Sequence, residues 1–210
     1  MEYKIGSEAR CAVIGHGSWA TALVKQLTHG GQRVGWYVRN EEVLESLRTA
    51  GRNPRYLNDT VFDRDLIAPS DDLDAVVRGA EVIILATPSA YLKEFLAPLD
   101  IPLNDKFVVS AIKGIVPGDY QTVMEYTHDH YRLSYKQIGL ISGPSHAEEV
   151  SRGDLSYLTV LCPDLDNCPT LADRLPSEPL PPPALPATLP HAPTAILSPP
   201  TPTPCLSAYA

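Results

Sequence analysis

The chain has 210 residues, 44% of them hydrophobic and 20% charged, with a formal net charge of −8 at pH 7. That length admits one large or two small domains. The acidic balance, without any Lys/Arg cluster, excludes a nucleic-acid surface, and the strand-sized apolar runs, such as Val82 to Ala86, exclude a membrane span.

The run Cys11-Ala12-Val13-Ile14 reads as a buried strand. It leads directly into Gly15-His16-Gly17-Ser18-Trp19-Ala20-Thr21-Ala22, where the pattern predicts a glycine elbow between strand and helix. Gly15 permits the tight turn, Gly17 lets the backbone approach a pyrophosphate, and Ala20 is small enough for close helix–strand packing. The phosphates would rest on free N–H groups at the helix N-terminus, where the macrodipole favours negative charge. Glycines also punctuate ordinary turns, so context has to decide. Trp19, Ala22, Leu23, Gln26 and Leu27 recur with helical period, Gly30-Gly31 supplies a stop, and Arg33 to Val38 reads as the next strand. This is a β-α-β unit, and it points to dinucleotide binding.

About twenty residues past such glycines, an NAD-preferring site usually carries Asp or Glu for the ribose 2′-hydroxyl. Here the strand ends in Arg39-Asn40, with no acid before Glu41. A guanidinium suits a 2′-phosphate and can stack on adenine, which favours NADP, or use of both NADP and NAD, over strict NAD. The alternative for Arg39 is a solvated surface arginine.

Asn40 is placed to cap a helix with Glu41 and Glu42 in its first turn, Val43, Leu44 and Leu47 on one face, and Gly51 as the stop. Ser70 is read as the cap of another, followed by Asp71, Asp72 and Asp74. Glu81 to Ala86 is a strand ended by Thr87-Pro88, and Leu92, Phe95 and Leu96 mark a short amphipathic helix. Phe107 to Ile112, Gln137 to Ile141 and Ser156 to Cys162 are the remaining strands. Near-continuous apolar strands alternating with helices predict an α/β fold, a Rossmann-like, doubly wound and mostly parallel sheet.

Ligands of such sheets bind outside the carboxyl ends of the strands. The residues there are His16 to Trp19, Arg39, Thr87-Pro88-Ser89, Lys113-Gly114 and Ser142 to Ala147. Lys113 puts an ammonium where it can hold a substrate oxygen or a phosphate, unless it is a plain surface lysine. Ser142 to Glu149 reads as a polar turn entering a helix, or as a simple Gly-Pro turn. His16 and His146 are ligand contacts or loop histidines with no catalytic task. Cysteines at 11, 162, 168 and 205 lack metal-ligand spacing, so no metal site is expected; they read as reduced thiols of a cytoplasmic protein. Met1-Glu2-Tyr3-Lys4 lacks the apolar core of a signal peptide.

In order along the chain, the glycine elbow, Arg39, Arg52-Asn53-Pro54-Arg55-Tyr56-Leu57, Thr87-Pro88-Ser89, Ser110-Ala111-Ile112-Lys113-Gly114-Ile115 and Ser142-Gly143-Pro144-Ser145-His146-Ala147-Glu148-Glu149-Val150 resemble the motifs of bacterial NAD(P)-dependent glycerol-3-phosphate dehydrogenase. The resemblance spans roughly residues 9 to 174. Related hydroxyacid dehydrogenases and ketopantoate reductases share the elbow but do not usually combine it with this Lys-Gly and Gly-Pro-Ser pattern. The resemblance implies that Gly15, Gly17, Ser18 and Trp19 meet the cofactor at the elbow and Arg39 meets its adenosine end. It implies that Lys113 contacts cofactor and substrate, Gly143 and Ser145 the substrate, and Ala147 the cofactor. The implied reaction exchanges a hydride between NADP or NAD and C2 of glycerol 3-phosphate, giving dihydroxyacetone phosphate, in the supply of phospholipid precursors.

The chain departs from that family beyond residue 174. The family continues into a helical substrate domain that carries a proton-transferring lysine, whereas no lysine follows Lys136 here, so no catalytic residue is assigned. From Pro176 onward the sequence is rich in Pro, Ala, Leu and Thr, with Glu178 as its only formal side-chain charge. It reads as disordered with polyproline II character. The expected organisation is an N-terminal extension over 1–8, a dinucleotide-binding domain over 9–174, and a proline-rich disordered tail over 175–210 in place of the substrate domain. Such a tail is either a ligand for a proline-binding groove or the product of a change of reading frame in a GC-rich gene, and the abrupt switch favours the latter. The competing readings are the dehydrogenase, a non-catalytic NAD(P)(H)-binding fragment, another hydroxyacid dehydrogenase or ketopantoate reductase-like Rossmann protein, and a proline-rich adaptor. Apolar surface left by a missing domain would favour a homodimer or aggregation.

Overall fold

The computed structural model describes residues 4–143, 146–152, 158–163 and 167–175, and the backbone of 195–198. The first half of the described chain runs β1 (Cys11–Ile14), α1 (Ser18–His29), β2 (Val34–Tyr37), α2 (Glu41–Ala50), β3 (Ile67–Ser70), α3 (Leu73–Arg78), β4 (Val82–Leu85) and α4 (Leu92–Leu96). There follow β5 (Phe107–Ser110), β6 (Ile115–Val116), β7 (Gln121–Thr122), α5 (Val123–Tyr131) and β8 (Ile138–Ser142). The last are α6 (Ala147–Arg152), β9 (Leu158–Leu161), α7 (Asn167–Ala172) and β10 (Ala195–Ser198).

Among the described residues one large sheet has the order β10-β9-β8-β5-β4-β1-β2-β3, with β6 and β7 forming a separate antiparallel ribbon. From β8 to β3 every neighbour is parallel, in the order of a doubly wound nucleotide-binding sheet. The chain moves outward from β1 to β3 and then returns to β4 on the other side of β1. The crevice between β1 and β4 is therefore the topological switch point. β9 runs antiparallel to β8, and β10 to β9.

Alternation along the strands builds a core on each face. Cys11, Val13, Trp36, Ile84 and Val109 join α1 and α2 on one side. Ala12, Ile14, Tyr37, Ile83, Leu85 and Val108 join α3, α4 and α5 on the other. Strands buried on both faces read as continuous apolar runs, which is why these were visible in the sequence. Ile5, in the segment read as an extension, is also buried on the α1 side, and its N–H donates to Asn167 Oδ1 at 2.8 Å.

Local chemistry explains where the elements begin and end. Asn40 caps α2 as expected, its Oδ1 accepting from the Val43 N–H at 3.0 Å, and Gly51 ends the helix in the left-handed region at φ +62°. The cap of α3 is a correction: Asp72 holds it, accepting from the Ala75 N–H at 2.9 Å. Ser70 instead ends β3, a strand the sequence concealed behind Pro69. Proline is tolerated there because β3 is an edge strand, paired with β2 alone. The ribbon β6–β7 and helix α5 were also unread. Within the proline-rich tail, Ala195–Ser198 pairs as a short strand with β9. Its four residues hold the apolar Ala195-Ile196-Leu197 run, long enough for one edge pairing; the other tail residues after Leu175 lie outside the described ones.

Candidate functional site

The elbow after β1 is held by bonds to its carbonyls. Trp36 Nε1 donates to the Gly15 carbonyl at 2.6 Å, and Asn53 Nδ2 to that of His16 at 3.0 Å. The Gly17 carbonyl accepts both the N–H and the hydroxyl of Thr21, each at 2.9 Å. The acceptors are thus engaged within the protein. Gly17 caps α1 with no side chain to fill its first N–H groups, which are left to an anion.

The two glycines have different reasons to be there. Gly15 has φ +130°, and a Cβ on it would press into the Ala86 carbonyl at the end of β4, with the carbonyl carbon at 2.9 Å. The switch point closes too tightly for any side chain. Gly17 has an ordinary φ of −74°, and a Cβ on it would meet nothing within 4 Å. Its space is open toward the cleft, as a close backbone approach to a phosphate requires.

That cleft encloses about 370 Å³. Gly17, Ser18 and Trp19 line it from the start of α1, Thr87 and Pro88 from beyond β4, Lys113 from beyond β5, and His146 and Ala147 from the start of α6. It therefore brings together the expected residues Gly17, Ser18 and Trp19, Lys113, and Ala147 from three separate stretches of the chain, with Gly15 at the turn beside it. Helix α6 is fixed against α1 by Ala22, Ala147 and Val150, with Trp19 packed on that cluster and Gln26 Nε2 donating to the Val150 carbonyl at 2.7 Å. Trp19 thus has a packing task besides lining the cleft. Lys113 is exposed, and among the described residues its ammonium has no ion-pair partner. The Thr87 hydroxyl oxygen is buried there with no hydrogen-bond partner among the described residues. Gly143 lies just past β8 at φ +141° and does not line this cleft; Ser145 lies outside the described residues.

Arg39 does not line this cleft. Its Nη2 pairs with Glu94 Oε1 at 2.7 Å, and its guanidinium carbon lies 4.8 Å from the centre of the Phe95 ring. The ring of His16 lies 5.6 Å from the same Phe95, so Phe95 links the elbow to Arg39. His16 Nδ1 is buried without a hydrogen-bond partner among the described residues. Burial, then the positive charges of Arg39 and Arg55, lower the His16 pKa from its ordinary 6.5. The unfolded imidazole takes up a proton before the folded one, so His16 costs no stability above pH 6.5 and progressively more as pH falls below it. His16→Asn should therefore lose less thermal stability than the parent between pH 7.5 and 5.5; equal losses would remove His16 from that role.

A larger hollow of about 780 Å³ opens near Arg10, Gly30, Arg33 and Arg174, at the amino ends of β1 and β2. Size favours it, but chemistry does not: ligands of this sheet class sit at the carboxyl ends, where the free N–H groups and open glycine are. Three residues that shape the candidate site, Asn53, Glu94 and Phe95, were not assigned to it from the sequence. The Asn53 stretch was visible as a motif, but its bond to the elbow was not.

The family model described as the N-terminus of NAD-dependent glycerol-3-phosphate dehydrogenase matches residues 10–168. The chain belongs to this family. Among curated relatives, glycerol-3-phosphate dehydrogenase [NAD(P)+] of Limosilactobacillus reuteri is 35% identical over 161 residues, covering 74% of this chain and 47% of the relative. That of Ectopseudomonas mendocina is 34% identical over 157 residues, covering 75% and 45%. The chain spans about half the length of the curated relatives it matches. The crystal structure of glycerol-3-phosphate dehydrogenase from Coxiella burnetii shares the fold at TM-score 0.72 and 24% identity, covering 82% of this chain and 52% of that one. The Plasmodium falciparum glycerol-3-phosphate dehydrogenase does so at 0.71 and 21%, covering 80% and 50%. The stretch matched to the glycerol-3-phosphate dehydrogenase N-terminus contains the elbow, Arg39, Lys113 and the α6 turn, so every candidate contact falls inside it.

Proposed function

We propose that this chain is the nucleotide-binding half of a glycerol-3-phosphate dehydrogenase, taking NADP or NAD and acting between glycerol 3-phosphate and dihydroxyacetone phosphate. The observation that carries the reading is the elbow with its carbonyls engaged, its α1 donors uncapped and its Gly17 space open. The unpartnered Thr87 hydroxyl in the same cleft supports a polar ligand there. A bound nicotinamide would supply or accept the hydride. Of this chain's residues, Gly15, Gly17, Ser18 and Trp19 form the pyrophosphate seat, Ala147 closes it from α6, and Arg39 receives the adenosine end. Lys113 presents a cation to polarise the substrate's carbonyl oxygen, with Gly143 and Ser145 beside the substrate. A cytoplasmic location and a homodimer belong to the same reading; the thiols of Cys11, Cys162 and Cys168 fit the former, and the exposed Tyr91, Ile115 and Tyr120 the latter. Among the described residues no helix is long and apolar enough to cross a membrane.

A non-catalytic variant of this reading is favoured by one observation: within these 210 residues no lysine follows Lys136. The 210-residue chain should therefore bind NADPH and NADH saturably and reduce no dihydroxyacetone phosphate in the same sample. Turnover would show that a proton donor exists elsewhere in the chain, and failure to bind either cofactor would overturn the function altogether. Arg39→Asp should weaken NADPH binding more than NADH binding, by about tenfold or more in the ratio; equal losses would dissociate Arg39 from the 2′-phosphate.

A further inference from the structure

The end of β2 offers no acid in sequence, but the fold brings one there from 55 residues away. Glu94, on α4, holds the Arg39 guanidinium at 2.7 Å. Both partners border solvent, at 34% and 61% side-chain exposure, so the pair adds little to folding stability. Its position matters more than its strength. The residue at the end of the second strand of this sheet class faces the ribose 2′ position, and that residue, Arg39, is already engaged by a carboxylate.

We propose that Glu94 is the residue that sets cofactor choice, and that it does so in favour of NAD(H). The inference rests on the nucleotide-binding reading of the elbow. A 2′-phosphate approaching Arg39 must either displace Glu94 from the guanidinium or sit beside its like charge, and both outcomes weaken binding. A 2′-hydroxyl needs neither: it can donate to the Glu94 carboxylate while Arg39 stays paired, so one carboxylate does the work usually assigned to an acid at the strand end. Phe95 fixes the arrangement from below, since the guanidinium lies over its ring and the ring of Tyr37 meets it edge-on at 6.2 Å. The arginine that suggested NADP in the sequence is thereby turned to the opposite preference. Arg55 does not substitute for it, because Glu42 Oε2 already holds its Nη2 at 2.7 Å.

The test compares the 210-residue chain with Glu94→Gln, which keeps the side chain's length and removes its charge. Dissociation constants are measured by calorimetry for NADH and NADPH, and for adenosine 5′-monophosphate and adenosine 2′,5′-bisphosphate, which isolate the 2′-phosphate. The parent should bind NADH at least as tightly as NADPH. In Glu94→Gln the NADPH-to-NADH affinity ratio should rise about three- to tenfold, with the same change in the bisphosphate-to-monophosphate ratio and an unchanged circular dichroism spectrum. Binding of both cofactors with ratios that Glu94→Gln leaves alone would overturn the role of Glu94 and keep the nucleotide site. Binding of neither cofactor by the parent would overturn the site and the inference together.

Discussion

Gly15→Ala should cost about 3–5 kcal/mol, enough to leave much of the chain unfolded or insoluble. Two penalties combine at one atom. The residue sits at φ +130°, where a side chain is strained, and the new Cβ would press into backbone, the Ala86 carbonyl, which cannot move without breaking the β1–β4 pairing. Gly17→Ala, two residues on, is the matched contrast. Its Cβ meets nothing and its φ is ordinary, so the thermal midpoint should stay within a few degrees of the parent's. The affinity for NADH should nevertheless fall about tenfold or more, because the methyl group occupies the approach to the α1 donors. Denaturation and cofactor titration of both variants separate the two roles. A stable Gly15→Ala, or a Gly17→Ala that binds normally, would each contradict the assignment of that glycine.

Asn53→Ala should be nearly as damaging, for a different reason. The side chain is wholly buried and serves four groups. It donates to the His16 carbonyl and, at 2.9 Å, to Thr21 Oγ1, and it accepts from the N–H groups of Arg55 at 3.1 Å and Tyr56 at 3.2 Å. Truncation strands several of these away from water, at about 2–4 kcal/mol in total. The expected fall in thermal midpoint is on the order of 5–15 °C. Because the His16 carbonyl is then released into the elbow, NADH affinity should drop as well, even at temperatures where the variant is folded. An unchanged midpoint would mean that water replaces all four bonds and that Asn53 is not what fixes the elbow.

The legible parts of this molecule were those written locally. β1, the glycine elbow, α1, its Gly30-Gly31 end and the Asn40 cap of α2 depend on neighbours within a few residues, and each stands where its residues placed it. β3 was hidden because Pro69 is read against strand, a rule that edge position suspends. Helix α5 carried its own signal, a Thr122–Glu125 capping box with Glu125 Oε2 accepting from the Thr122 N–H at 2.8 Å, but its apolar period is weak and its exposed face holds histidines. For the site, the strand-end rule located Ser18, Trp19, Lys113 and Ala147 because topology alone delivers them to one crevice. What joins Asn53 to the elbow, or Glu94 to Arg39, is a side-chain bond across 37 or 55 residues. No periodicity or spacing encodes such a bond.

Hydrogen exchange of the backbone amides, with and without saturating NADH, reports whether the glycine elbow binds the nucleotide. Slowed exchange is expected in Gly15 to Ala22, in the Lys113-Gly114 turn and at the start of α6, where uncapped donors and the open glycine face the cleft. The amino-end hollow around Arg10, Arg33 and Arg174 should be unaffected. Protection confined to that hollow, or no protection at the elbow under conditions where NADH is bound, would show that the glycine elbow of this chain is not its nucleotide site.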